Sequence, residues 1–268
     1  MPAVIREERD AILTLTLNRP EARNAIDPET AVTLGEAFRD YATNDALRCA
    51  IVTGTGEAAF CSGADLARTI PLFTGARKAE DDWDEKLLAD PSLFQWALLR
   101  GVDLFKPVIA KVNGYCIAGG LEMMQGTDIR VAAKHASFAL QEPKWGLFPG
   151  GGSTVRLPRQ IPYCKAMEIL LTGERLTSEE ALQWGLVNYV VPASQVAAKV
   201  ESIARVIVEN GPLAVRKIKE SVIRLRGLPE AEGLAREPEF AMPVFASADA
   251  KEGPRAFKEK RRPKFLGR

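Results

Sequence analysis

With 268 residues, 46% of them hydrophobic and 26% charged, the chain has the composition of a globular protein long enough to bury a full core. Thirty-six basic against 35 acidic residues leave a net charge of +1, which excludes a global electrostatic argument for nucleic acid or an acidic membrane. A single histidine, His135, and four cysteines without C-x-x-C spacing (Cys49, Cys61, Cys116, Cys164) argue against Ser-His-Asp, multi-histidine metal and disulfide chemistry. The cysteines read as buried free thiols and His135 as a surface residue in a short polar connection. No run approaches the roughly 20 apolar residues of a membrane span. The N-terminus has acids and no apolar h-region, so a cytoplasmic location is expected.

Taken in order, Val4 to Glu8 and Ala11 to Leu17 read as a hairpin, because I-L-T-L-T-L alternates at the strand period. Asp27 before Pro28 predicts an N-cap with proline at N1 for a helix over 29–41. Arg48 to Thr53 is the next strand. Ala59 to Leu66 is small and tightly turned, suited to presenting backbone N–H groups in a nest. Residues 67–100 are irregular. Six acids and three bases between Arg77 and Asp90 suggest a solvated face, a lid or a pocket wall, with a helical stretch over 93–104.

Lys106 to Glu122, K-P-V-I-A-K-V-N-G-Y-C-I-A-G-G-L-E, predicts a buried strand that breaks at glycines and restarts as a helix. The first N–H groups of a helix lack intrahelical partners, so Gly119 is placed to donate to developing negative charge. Glu122 falls in the first turn, where an ionised carboxylate is favoured as base or fixed charge. Asp128 to Ala132 is a further strand. Glu142 precedes Pro143 and is expected on extended backbone. Gly150-Gly151-Gly152 implies unusual backbone angles or a close approach. Helices follow over 164–171, from the capping box Thr177-x-x-Glu180, and over 193–209 and 212–226, with a short strand at 186–191. The tail over 251–268 holds eight bases and two acids, an attraction for nucleic acid, lipid or a phosphate-bearing cofactor.

Together these features resemble the crotonase, or enoyl-CoA hydratase/isomerase, superfamily, over nearly the whole chain. The resemblance rests on Leu17-Asn18-Arg19-Pro20-Glu21 with Arg23-Asn24-Ala25, on Phe60 to Leu66, on Lys106 to Tyr115 with Ala118-Gly119-Gly120, and on Glu142 with Pro149-Gly150-Gly151. It continues in Leu171-Thr172-Gly173, Gly185-Leu186-Val187 and the tail residues Phe257 and Glu259-Lys260-Arg261. It implies an α/β fold, a crotonase-like spiral of ββα units over 1–195, followed over 196–268 by a C-terminal helical trimerisation region giving a homotrimer or hexamer. It implies an acyl-CoA substrate with no separate cofactor and no metal, and no nucleic acid or membrane partner. The implied oxyanion donors are the amides of Ala64 and Gly119, and the implied catalytic acids are Glu122 and Glu142. Arg23, Ala64, Asp65, Leu66, Phe257 and Lys260 would border the CoA moiety. The implied reaction is hydration of a 2-enoyl-CoA thioester by a hydro-lyase, as in fatty acid β-oxidation. Alternatives are an enoyl-CoA isomerase, a carnitinyl-like hydratase, and a non-catalytic acyl-CoA or RNA-binding homologue. The chain departs from the family pattern at Ala118, where a third glycine is frequent, at Leu140, where hydratases often carry glutamine, at Pro143 and in the long span 67–100.

Overall fold

Alternating apolar residues at the N-terminus set the first face of the core. In the computed structural model, which describes residues 1–268, strand β1 (Val4–Arg9) and strand β2 (Ile12–Leu17) pair antiparallel, with Val4 opposite Leu17 and Arg9 opposite Ile12. Leu13, Leu15 and Leu17 are buried, and Thr14 and Thr16 take the other face. Asp27 Oδ1 accepts the Thr30 amide at 2.9 Å and caps helix α1 (Pro28–Thr43).

Beyond α1 the strands come in pairs whose members enter different sheets. β3 (Cys49–Gly54) is followed by β4 (Ala59–Cys61), β5 (Val108–Val112) by β6 (Tyr115–Ile117), and β7 (Ile129–Ala133) by β8 (Ser137–Ala139). The first member of each pair joins a six-stranded sheet and the second a four-stranded one. With β9 (Leu176–Thr177) and β10 (Tyr189–Val191), the orders are β1-β2-β3-β5-β7-β10 and β4-β6-β8-β9. Pairing in the large sheet is parallel from β2 onward. Every residue of β3 is buried, which explains its continuous apolar run rather than an alternating one.

Helices follow each pair: α2 (Thr69–Thr74), α3 (Asp82–Ala89) and α4 (Ser92–Ala97) after the first, α5 (Gly119–Gln125) after the second, and α6 (Ser153–Gln160) and α7 (Tyr163–Thr172) after the third. This repeated turn of strand, strand and helix is the ββα spiral expected from the sequence. Helix α8 (Ser178–Gln183) opens on the expected capping box between Thr177 and Glu180.

Residues 67–100 are more ordered than their composition suggests. Asp84, in the acid-rich run, is fully buried: Arg77 Nη2 donates to its Oδ1 at 2.7 Å, and this pairing holds its carboxyl down to about 2. Lys78, Glu80, Asp82, Glu85 and Lys86 are exposed, so the run does present a solvated face, with Asp84 turned inward. The helix expected over 93–104 stops at Ala97, and Leu99 and Gly101 both take positive φ. Leu98, Leu99 and Leu104 are buried individually by tertiary contact, a pattern that imitates a helical period in sequence. Gly35 lets α4 lie against α1, since a Cβ there would sit 2.4 Å from the Leu93 carbonyl oxygen.

Cys49, Cys61 and Cys116 are buried, whereas Cys164 is exposed because α7 turns Ala166, Ile169 and Leu170 inward instead. His135 is exposed, as expected.

Helix α9 (Ala193–Glu209) buries Val196, Val200 and Ala204 against β3, β5 and β7, so the division expected at residue 195/196 falls inside an element of the core. Helix α10 (Pro212–Leu225) has no buried residue and leaves Ile218 and Val222 exposed beside α12 (Pro238–Phe245). After α11 (Glu230–Arg236) and α12, helix α13 (Ala248–Lys258) receives the tail folded back on it. The Asp249 carboxylate accepts the Leu266 and Gly267 amides at 2.7 Å each, and Glu252 accepts Arg261 at 2.6 Å and the Lys264 amide at 2.9 Å. No helix is long and apolar enough to cross a membrane.

Candidate active site

The backbone of the site comes from two chain crossings. Ile26 and Ala64 form a parallel bridge in which the Ile26 amide donates to Gly63 O at 2.8 Å and the Asp65 amide to Ile26 O at 2.9 Å. In such a bridge the central residue's own amide points to the opposite side. That side is the start of α5: a Cβ built on Gly119 would lie 3.4 Å from the Ala64 nitrogen, and one on Gly63 would lie 2.8 Å from the Gly119 nitrogen. Neither the Ala64 nor the Gly119 amide donates a loop or cap backbone hydrogen bond. Two neighbouring N–H groups thus line one cavity.

Ala118 makes this approach possible at a cost. Its φ of 52° and ψ of −127° suit glycine better than alanine. Its amide donates to Ala139 O at 2.8 Å, tying the turn to β8. Gly120 must lack a side chain, because a Cβ there would meet Cys61 O at 2.3 Å.

Glu122 projects from the first turn of α5 and is only 3% exposed. Its Oε1 accepts the Ser153 amide at 3.2 Å, and Arg156 Nη1 donates to its backbone carbonyl at 3.3 Å. Burial pushes its pKa up, while the Ser153 and Gly151 amides and the Arg156 charge pull it back. The glycine run is explained by the same carboxylate, since a Cβ on Gly151 would lie 2.4 Å from Glu122 Oε2.

Glu142 begins a 3-10 turn (Glu142–Trp145), not the extended segment expected before Pro143. Proline at the second position of such a turn lacks an amide that would have had no partner there anyway. Glu142 is 9% exposed, and its Oε2 is buried with no hydrogen-bond partner. Burial, reinforced by the Glu122 charge, raises its carboxyl to about 7. Two acids in one cavity therefore differ in environment: Glu122 is held by donors, and Glu142 is disposed to keep its proton.

The cavity, about 500 Å³, brings together Ala64, Gly119, Glu122 and Glu142 with Arg23 and Leu66. Arg23 and Arg175 both stack on Tyr115, 5.8 and 4.7 Å from the ring centre, and place two cations among its lining residues. Asp65 turns away: it pairs with Arg19 at 2.9 Å and accepts the Ala67 amide at 2.9 Å, so within this chain it shapes the loop. Phe257 and Lys260 are exposed and do not line the cavity of their own chain. Sequence reasoning missed Arg175, Ser153 and Arg156, which carry no motif, and the apolar liners Ile70, Phe73, Phe94 and Leu98, which lie in the irregular span. No three His, Cys, Asp or Glu side chains are grouped as a metal site.

Two neighbouring backbone amides and two buried carboxyls gathered on one cavity are a set suited to acid–base chemistry next to a carbonyl. The enoyl-CoA hydratase/isomerase family model matches residues 7–268, and the chain belongs to that family. It is 44% identical over 267 residues to enoyl-CoA hydratase EchA19 of Mycobacterium tuberculosis, covering 100% of this chain and 97% of that one. It is 40% identical to carnitinyl-CoA dehydratase of Salmonella typhi, over 96% of this chain and 95% of the relative. The crystal structure of enoyl-CoA hydratase EchA1 from Mycobacterium marinum superposes with a TM-score of 0.89 at 35% identity, covering both chains completely.

Proposed function

We propose that the protein is an enoyl-CoA hydratase, adding water reversibly across C2 and C3 of a 2-enoyl-CoA to give a 3-hydroxyacyl-CoA. The observation that carries this reading is the pair of unlike buried carboxyls, Glu122 and Glu142, in the cavity that also holds the Ala64 and Gly119 amides. Attack of water at C3 moves charge onto the thioester oxygen. Two amides directed there stabilise it, and removing one such donor in other enzymes costs roughly 3 to 4 kcal/mol. Glu122, held by the Ser153 amide, orients the water and takes its proton. Glu142, raised by burial, delivers a proton to C2.

The acyl-CoA enters past Arg23 and Arg175, whose charges suit its phosphates, with Ala64 and Leu66 bordering the nucleotide and Asp65, tied to Arg19, fixing the loop that carries them. Phe257 and Lys260 complete that border from a neighbouring subunit, in a homotrimer or a hexamer built on the exposed apolar face of α10 and α12. The enzyme works in the cytoplasm, in fatty acid β-oxidation. In the tail Arg255, Arg261 and Arg262 are paired with Glu252, Glu259 and Glu209, which leaves Lys258 and Lys260 among the cations free to meet phosphates.

The test is loss of the enone absorbance of 2-enoyl-CoAs with wild type, Glu122→Gln and Glu142→Gln. Turnover unchanged in both variants overturns the two-carboxyl mechanism. Inertness toward 2-enoyl-CoA with conversion of 3-enoyl-CoA would make the protein an isomerase instead.

A further inference from the structure

Residues 67–100 supply four lining residues of the cavity, Ile70, Phe73, Phe94 and Leu98, none of them charged. Phe73 and Phe94 meet edge to face with ring centres 5.1 Å apart, which fixes α2 against α4. Leu98 reaches the catalytic centre: a Cβ on Gly151 would touch both Glu122 Oε2 and Leu98 Cδ1, the latter at 2.8 Å. The apolar wall therefore starts beside the Glu122 carboxylate. The cations of the cavity, Arg23 and Arg175, are gathered elsewhere, on Tyr115. A thioester whose oxygen sits at Ala64 and Gly119 and whose C2 and C3 lie at the glutamates would send its CoA arm toward those arginines and its acyl chain toward Leu98, Phe94 and Phe73.

We infer that residues 67–100 form an acyl-binding wall selecting bulky apolar 2-enoyl chains, of about the size of octenoyl or larger, over four-carbon and cationic ones. This rests on the hydratase reading of the same site. A four-carbon acyl group ends just past the carboxylates and would leave the wall wetted. A trimethylammonium group at C4 would lose its hydration against Leu98 with no acid available except the two engaged in catalysis.

Two measurements separate this inference from the reaction on which it rests. In calorimetry, wild type binds saturated octanoyl-CoA more tightly than butyryl-CoA, with a ceiling of about fourfold per added methylene, the equivalent of about 0.8 kcal/mol each. In turnover, kcat/KM rises from crotonyl-CoA to 2-octenoyl-CoA, and Phe73→Ala lowers the octenoyl-to-crotonyl ratio about tenfold. Equal or weaker octanoyl binding overturns the wall even where crotonyl-CoA is hydrated. A preference for the enoyl-CoA bearing a C4 trimethylammonium group over octenoyl-CoA also overturns it. Tight octanoyl binding without any hydration supports the wall and removes the hydratase reading.

Discussion

Gly151 leaves no room for a Cβ beside Glu122: the nearest carboxylate oxygen would be 2.4 Å away and the carboxyl carbon 2.7 Å away. The obstacle is the far end of a side chain, which can swing aside, so Gly151→Ala is expected to cost little stability and much activity. A drop in kcat of about a hundredfold or more, with a melting temperature within a few degrees of wild type, is the expected result, since misplacing a catalytic group by about 1 Å costs on that order. Gly120→Ala provides the contrast. There the Cβ meets the Cys61 backbone carbonyl, and the expected outcome is poor folding.

Replacing either acid by its amide removes a proton-transfer group without changing shape. Glu122→Gln and Glu142→Gln should each lower kcat for 2-enoyl-CoA by about 10² to 10⁴. Stopped-flow or steady-state absorbance measures this directly, and circular dichroism confirms that the fold is kept.

The raised carboxyl of Glu142 has two signatures in pH. Hydration needs it protonated, so kcat/KM in that direction should decline as pH rises through about 7, and the limb should vanish in Glu142→Gln. Stability follows the same group. Between the ordinary 4.5 and about 7, the folded state holds a proton that the unfolded state has released. Its contribution is fully present below about 4.5 and is lost as pH climbs to 7. Glu142→Gln should therefore gain melting temperature relative to wild type at pH 8, by a few degrees, and show no such gain at pH 4.5.

The exposed residues Ile218 and Val222 on α10 are expected to be the seam between subunits. The double variant Ile218→Asp, Val222→Asp should elute as a monomer in size-exclusion chromatography with light scattering. If Phe257 and Lys260 serve a neighbour's site, the same variant should raise KM for acyl-CoA. Lys260→Ala should raise it in the intact assembly with kcat nearly unchanged. A monomeric wild type would end the trimer proposal.

Much of this architecture is written in local patterns. The period of two in β2, the Asp27 cap and the Thr177-x-x-Glu180 box each act within a few residues, and each appears where it was expected. Gly119 and Glu122 were readable for the same reason, because the strand, turn and helix that place them are contiguous. Glu142 was readable as a site residue only through family resemblance, and its turn was misjudged because the pull of Pro143 toward extended backbone lost to the 3-10 turn. Arg175 and Phe94 were not legible at all. Their roles depend on Tyr115 and Phe73, which a distant part of the spiral and a separate helix bring to them. The side chains that bury Leu98 and Asp84 are likewise a property of the assembled fold.

The excursion formed by α2, α3 and α4 has a consequence for how this protein changes over time. Its middle is held apart from the reacting groups, since Arg39 of α1 reaches Asp90 at 2.7 Å, Arg77 holds Asp84, and Gly35 seats α4. Its two ends are joined to them, through Thr69 Oγ1, which donates to the Ile26 carbonyl at 2.7 Å, and through Arg156, which donates to both the Leu99 and Glu122 carbonyls. The Ala64 and Gly119 amides and the two carboxyls are set mainly by the Ile26 to Ala64 bridge, α5 and the turn at Glu142. Insertion, deletion or exchange between those two joints can thus retune what is accepted while the chemical step is inherited.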